Sequence, residues 1–153
     1  MTAICTVREA SLADAAIISG FNRLLAEESE SKQLNKDVLR AGVEALIRDP
    51  RRGQYFVAEA NGEIIGQLLI TYEWSDWRNG LFWWIQSVYV ASAYRRGGVF
   101  RTLYAHVEGL ARARDDVCGL RLYVEHENVT ARDAYVALGM ATTNYRIMEL
   151  EFM

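Results

Sequence analysis

The chain has little of what punctuates or staples a protein. A single proline, Pro50, stands among 153 residues, and no Ser/Gly-rich tract, low-complexity segment or internal repeat interrupts them. Nothing therefore marks a linker, and one domain over residues 1–153 is expected. Two cysteines, Cys5 and Cys118, are too few and too isolated for a disulfide framework or a zinc site. Each lies beside apolar residues and reads as a small buried hydrophobe. No metal is expected. No apolar run approaches the roughly 18 residues that cross a bilayer, and the densest, Leu81-Phe-Trp-Trp-Ile85, is broken by Gln86 and Ser87. The first residues carry neither a basic leader nor a long apolar stretch, so a cytoplasmic protein without membrane attachment is the expectation. Excess positive charge is missing too: the net charge is −3, which argues against a nucleic-acid partner.

What is present is hydrophobic material in two periodicities. Half of the chain is hydrophobic (51%), enough for one ordinary core. Ile4 to Glu9 alternates as a short strand would. Ser11 and Asp14 offer helix N-caps ahead of a helical pattern through Leu24. A second helix is predicted from Lys36 to Arg48 and stopped by Asp49-Pro50. Gln54 to Ala60 and Glu63 to Tyr72 read as strands around Asn61-Gly62, a strong hairpin signal. Trp74 to Gly80 is then a connecting loop. Leu81 to Val90 is aromatic and β-branched throughout, as a strand covered on both faces would be. Val99, Leu103, Val107 and Leu110 give a third helix, to about Arg114, one apolar face. A strand at Leu120 to Val124, a short helix at Thr130 to Leu138 and a final alternating strand at Met148 to Phe152 complete a mixed α/β order.

Chemistry concentrates in Val88-Tyr-Val-Ala-Ser-Ala-Tyr-Arg-Arg-Gly-Gly-Val-Phe-Arg-Thr-Leu103. A strand gives way to a polar loop, paired arginines, paired glycines and an amphipathic helix. Glycines let backbone amides approach a ligand, and the first turn of a helix presents unpaired N–H groups with partial positive charge. The combination suits a pyrophosphate, with Arg95, Arg96 and Arg101 adding potential. It is neither a Walker A loop nor a Gly-x-Gly-x-x-Gly fingerprint. Taken alone, the same letters describe an ordinary turn with exposed arginines equally well.

Further on, Val124-Glu-His-Glu-Asn128 precedes Ala131, Tyr135 and Leu138-Gly139-Met140. Ala131 and Tyr135 lie four apart, on one helix face, from which a tyrosine hydroxyl could donate a proton into a cleft. A core tyrosine with a satisfied hydroxyl is the plainer explanation.

Together the two segments resemble the GNAT superfamily of N-acetyltransferases. Its phosphate motif, Gln/Arg-x-x-Gly-x-Gly/Ala, is met by Arg95 to Gly98, with Phe100 at the last position. Its later signature, Asn-x-x-Ala then Tyr-x-x-x-Gly-Phe, is met by Asn128, Ala131, Tyr135 and Gly139, with Met140 for Phe. The resemblance implies a GNAT fold, a mostly antiparallel sheet splayed around a coenzyme A cleft and flanked by about four helices.

It also implies acetyl-CoA as cosubstrate. Val88, Tyr89 and Val90 would serve the pantetheine, and Arg95, Arg96, Gly97, Gly98, Val99, Phe100 and Arg101 the pyrophosphate. Asn128 and Ala131 would lie along the cofactor arm, and Tyr135 would protonate the leaving thiolate. The region looks nearest to polyamine acetyltransferases, which carry a glutamate where Gln86 stands, so no general base is assigned. A small-molecule amine is the expected acceptor, a small cationic one slightly ahead of an amino acid, a peptide N-terminus or a protein lysine, met by Glu28, Tyr72, Glu73, Trp74 and Gln86 through aromatic and charge contacts. A homodimer is expected by family habit. A non-catalytic acyl-CoA sensor and an acyltransferase acting on a protein or peptide amine remain the alternatives.

Overall fold

In the computed structural model, which describes residues 5–153, the periodicities become five strands and four α-helices. In chain order these are β1 (Thr6–Glu9), α1 (Ala15–Glu30), α2 (Lys36–Arg48), β2 (Gln54–Ala60), β3 (Glu63–Ser75), β4 (Gly80–Val90), α3 (Val99–Arg112), β5 (Val117–Leu122) and α4 (Val129–Ala137). Short 3₁₀ turns precede α1 and α3, at Leu12–Asp14 and Ser92–Tyr94. Residues up to Leu122 make one compact unit, and Tyr123–Met153 make a second. None of the described helices is long and apolar enough to cross a membrane.

The sheet of the first unit runs β1-β2-β3-β4-β5. Its first three pairings are antiparallel and the last is parallel. Asn61 and Gly62, at φ 53° and 76°, supply the two left-handed residues of a tight hairpin between β2 and β3. Asn35 caps α2, its side chain accepting from the amides of Asp37 and Val38 at 3.0 and 3.1 Å. Such a cap is worth about 1 kcal/mol.

Strand alternation sorts the core into two layers. On one face Ala15, Ile18 and Val43 from α1 and α2 pack with Tyr55, Val57 and Leu69. On the other, Val99, Leu103 and Val107 of α3 are almost wholly buried, at 1%, 0% and 0% exposure. Each such side chain contributes about 1.5–3 kcal/mol. Gly66 in β3 is what lets α3 sit so close. A methyl there would meet Val99 Cγ1 at 3.0 Å and the Tyr89 carbonyl at 3.2 Å.

Four expectations are corrected. β3 extends to Ser75, so the loop before β4 shrinks to residues 76–79. β5 begins at Val117 rather than Leu120 and ends at Leu122 rather than Val124. Its pairing with β4, from Leu81↔Val117 to Ile85↔Leu122, sets those limits. Met148 to Phe152 forms no strand. Alternation marks a face, but a strand also needs a partner edge; here Met148, Leu150 and Phe152 are 96%, 80% and 91% exposed. Cys5 is buried as expected, whereas Cys118 is exposed. The predicted strand start at Ile4 lies outside the described residues.

Candidate active site

β4 runs on past its parallel neighbour. The last pair with β5 is Ile85↔Leu122, so Gln86 to Val90 have no β5 partner. Within this stretch the ladder to β3 also shifts. Gln67 faces Tyr89 while Leu69 faces Gln86, so β4 carries one residue more than β3. Ser87, at φ 50°, takes up the difference as a β-bulge. A bulge bends a strand and re-aims its backbone groups.

A buried polar network holds this bulge. Gln67 is 0% exposed. Its Nε2 donates to the Ser87 carbonyl at 3.0 Å and to Asn22 Oδ1 of α1 at 2.7 Å. Asn22 Nδ2 in turn donates to the Tyr55 hydroxyl at 3.1 Å, whose pKa burial pushes up. Gln67 Oε1 has no partner among the described residues. Buried amides are costly unless bonded, so this one fixes where the bulge sits. Gln67 was not among the expected site residues. Its signal was a lone glutamine inside the apolar run Ile64-Ile-Gly-Gln-Leu-Leu-Ile70.

Beyond β4 the chain enters the arginine–glycine loop. Arg96 and Gly98 both have positive φ, 64° and 88°. Gly98 occupies the N-cap position of α3. Left-handed residues in such a turn fold the backbone into a concavity lined by N–H groups, continuous with the unpaired amides of the first turn of α3. A non-glycine residue such as Arg96 holds that conformation at a cost of about 1 kcal/mol or more. Arg96 and Arg101 are exposed and form no ion pair among the described residues. The Phe100 ring lies 6.0 Å from that of Tyr104, along the flank of α3.

Arg95 behaves differently from its neighbours. Its Nε donates to the Val90 carbonyl at 2.9 Å and its Nη2 to Glu28 Oε1 at 2.7 Å. The other Glu28 oxygen accepts from the Tyr89 hydroxyl at 2.5 Å. Tyr89 and Arg95 together hold the Glu28 carboxyl below its ordinary range. The clamp ties the last turn of α1 to the end of β4.

Of the acceptor residues expected from sequence, the sheet brings some together and parts others. Glu73 and Gln86 lie on the α1/α2 face. Gln86 donates to Thr71 Oγ1 at 2.6 Å, and Glu73 Oε1 accepts from Trp84 Nε1 and Arg121 Nη1, both at 2.9 Å. The indole, then Arg121, keeps the Glu73 carboxyl below its usual range, which makes it a weak proton acceptor. Tyr72 and Trp74, one residue to either side of Glu73, take the opposite face. There Tyr72 stacks edge-on with Trp83, 6.1 Å between centroids. It lines a depression of about 330 Å³ with Leu110, Ala113 and Arg114. Arg121 was not among the expected site residues.

In the second unit Asn128 caps α4, its Oδ1 accepting from the Ala131 amide at 3.1 Å. Ala131 and Tyr135 are both half-buried. Gly139, at φ 99°, ends the helix turn as expected.

With this geometry in place, the comparisons identify the class. Residues 20–140 match the acetyltransferase (GNAT) family, and the chain belongs to that family. It is similar to a possible acetyltransferase from Clostridium difficile 630, with 43% identity, 99% of both chains covered and a TM-score of 0.92. It also shares the fold of a predicted acetyltransferase with acetyl-CoA from Clostridium acetobutylicum, with 18% identity, 96% of each chain and a TM-score of 0.78. A ribosomal-protein-alanine N-acetyltransferase from Brucella melitensis has the same fold, with 16% identity, 97% and 99% covered and a TM-score of 0.78. No curated protein matches. The expected mixed α/β GNAT fold is therefore the observed one.

Proposed function

We propose that this chain moves the acetyl group of acetyl-CoA directly onto a primary amine. One observation carries the proposal: the strained Arg96–Gly98 turn opens α3 immediately beyond the part of β4 that has no β5 partner. An anion-accepting turn next to free strand backbone fits a ligand with a pyrophosphate at one end and an amide-rich arm at the other. The solved protein from Clostridium acetobutylicum, named with acetyl-CoA, supports the choice of ligand.

In this reading the amides from Arg96 to Arg101 hold the pyrophosphate, with the free guanidinium groups of Arg96 and Arg101 beside it. The backbone of Val88 and Val90 serves the pantetheine, flanking Tyr89, and the family motif assigns Asn128 and Ala131 a cofactor-binding role. Arg95 acts as the clamp that sets the end of β4. Acetyl-CoA supplies an activated acyl carbon. The amine nitrogen forms a bond to that carbon, the carbon–sulfur bond breaks, and its electron pair leaves on sulfur. The proton lost by the amine passes to water. Tyr135 gives a proton to the thiolate.

Neither Glu28 nor Glu73 is a vacant carboxylate, since each is paired with an arginine. The likeness to polyamine acetyltransferases therefore does not enter the proposal. A second reading, an acyl-CoA-binding domain without turnover, is favoured by Gln86, whose amide engages Thr71 and takes up no proton.

Calorimetric titration with acetyl-CoA and with pantetheine tests the first half. Acetyl-CoA should bind and pantetheine, lacking the pyrophosphate, should bind far more weakly; equal binding would reject the loop assignment. Thiol release with an amine panel separates enzyme from sensor. Tyr135→Phe should lower kcat about 100-fold while leaving acetyl-CoA affinity within twofold. An unchanged kcat would remove Tyr135 as the acid.

A further inference from the structure

We infer that the amine acceptor is amino-acid-like, carrying a carboxylate close to its nitrogen, and that Arg121 receives that carboxylate. This rests on the acetyltransferase reading above and names the substrate class of the same site.

Position is the first argument. The cofactor loop opens α3, which covers one face of the sheet, where Val99 packs over Gly66. An acceptor reaches the thioester without displacing α3 only from the other face. Arg121 stands on that face, directly beside Trp84 and one residue before β5 pairing ends at Leu122. Gln86, the first β4 residue past that pairing, is the next on the same face. Arg121 thus borders the place where the strands cease to pair.

Charge is the second. The Arg121 guanidinium lies 3.6 Å from the centroid of the Phe82 ring, and Arg78 lies over the same ring at 4.9 Å. Both act on one carboxylate, Glu73, with which Arg121 is paired. Two cations against one anion leave the cluster net positive. Thr71, Trp84 and Gln86 on the same face are neutral. The other acid expected to attract a cation, Glu28, is taken by Arg95 and Tyr89. A cationic acceptor would meet repulsion here, whereas a carboxylate would complete the balance.

Geometry is the third. Arg121 is partly covered, its side chain 26% exposed. Its one described hydrogen bond is from Nη1 to Glu73, at 2.9 Å. The rest of its fork has no hydrogen-bond partner among the described residues. A guanidinium seated over an aromatic ring and anchored at one nitrogen is pre-ordered for a planar carboxylate. Glu73, bonded through Oε1 alone, has a second oxygen that can face the acceptor's amino group. The pair therefore offers both halves of an amino acid a partner.

The test compares thiol release, at saturating acetyl-CoA, for a panel of amino acids against their own carboxamides, with putrescine as a cationic amine. Each pair differs in one charge. The carboxamide's amine is the easier to deprotonate, so the comparison is biased against the expected result. The carboxylate members should show kcat/KM at least tenfold higher, mainly through KM, and Arg121→Gln should shrink that ratio to within twofold. Arg121→Lys, which keeps the charge and loses the fork, should fall between, and it serves if the glutamine variant does not fold. Carboxamides or putrescine matching the amino acids, no release from any panel member, or a preference that survives Arg121→Gln would overturn the inference. Acetyl-CoA titration of the same preparation separates the two levels. Binding with equal rates across pairs overturns the acceptor class alone, whereas absent binding overturns the acetyltransferase reading and this inference with it.

Discussion

The two faces of β3 and β4 are made from the same strands and differ in nearly everything else. On the α3 side Ile70, Trp83 and Ile85 are buried, and Tyr72 is partly exposed beside them. On the α1/α2 side the same strands carry Gln67, Thr71, Glu73, Trp84 and Gln86, each hydrogen-bonded to another side chain. Both faces contribute apolar core, the α1/α2 side through Val57 and Leu69 against Ala15, Ile18 and Val43. Beyond that cluster the α1/α2 face holds polar groups in fixed positions, which chemistry requires. The faces meet at the Ser87 bulge, where Gln67 on the polar side holds backbone that runs on to the arginine–glycine loop.

The largest break expected is at that loop. Gly98→Glu places a side chain at φ 88° and a negative charge where a pyrophosphate would sit. Acetyl-CoA affinity should fall at least 100-fold, about 2.7 kcal/mol, in calorimetry, while the melting temperature moves by only a few degrees. Unchanged affinity would mean that the turn serves α3 alone.

Gln67→Leu tests whether the polar face governs the bulge. It strands the Ser87 carbonyl and Asn22, a loss of about 1–3 kcal/mol. KM for acetyl-CoA should rise about five- to tenfold with a smaller change in kcat. A lowered melting temperature with both constants intact would make Gln67 a packing residue only.

The polar-side helices are tied down at Asp14, whose carboxylate takes two bonds from Arg8, at 2.8 and 2.9 Å, and one from the Ser11 amide. The Arg8 guanidinium holds the Asp14 carboxyl below its ordinary value. Because the folded pKa is depressed, the stabilisation is complete above the unfolded value, about 3.9, and is lost as pH falls through the folded one. Asp14→Asn should lower stability by about 2 kcal/mol at pH 7. The gap should begin to narrow below about pH 4, and the variant and the parent should converge only in thermal melts carried below the depressed folded value. A gap that persists in acid would point to packing rather than charge.

The smallest effect sharpens the contrast. Trp74 stands 58% exposed on the α3 side, one residue from Glu73 on the other. Trp74→Ala should leave kcat/KM for the amine within twofold. A tenfold loss would show that the acceptor reaches both faces.

Much of this was legible in the chain. The Asn61-Gly62 hairpin, the Asp49-Pro50 stop and the strand–loop–helix around Arg95 to Arg101 were all read from local chemistry, because turns and caps are set by neighbours a few residues apart. The final strand at Met148 to Phe152 failed for the converse reason, since a strand needs an edge that alternation cannot supply. The expected acceptor set Tyr72, Glu73 and Trp74 is parted by the period of two itself, which sends adjacent side chains to opposite faces.

By itself, then, the sequence determined the order of the five strands and four helices and the strand-to-helix turn at Arg95 to Arg101, which follow from periodicity and short-range backbone preference. Only the tertiary structure decided the partners of the charges. Arg95 meets Glu28 across 67 positions, and Arg121 meets Glu73 across 48. Those meetings depend on strand register, on one bulge at Ser87 and on which helix covers which face. A slip of a single residue would undo them, and no local pattern fixes it.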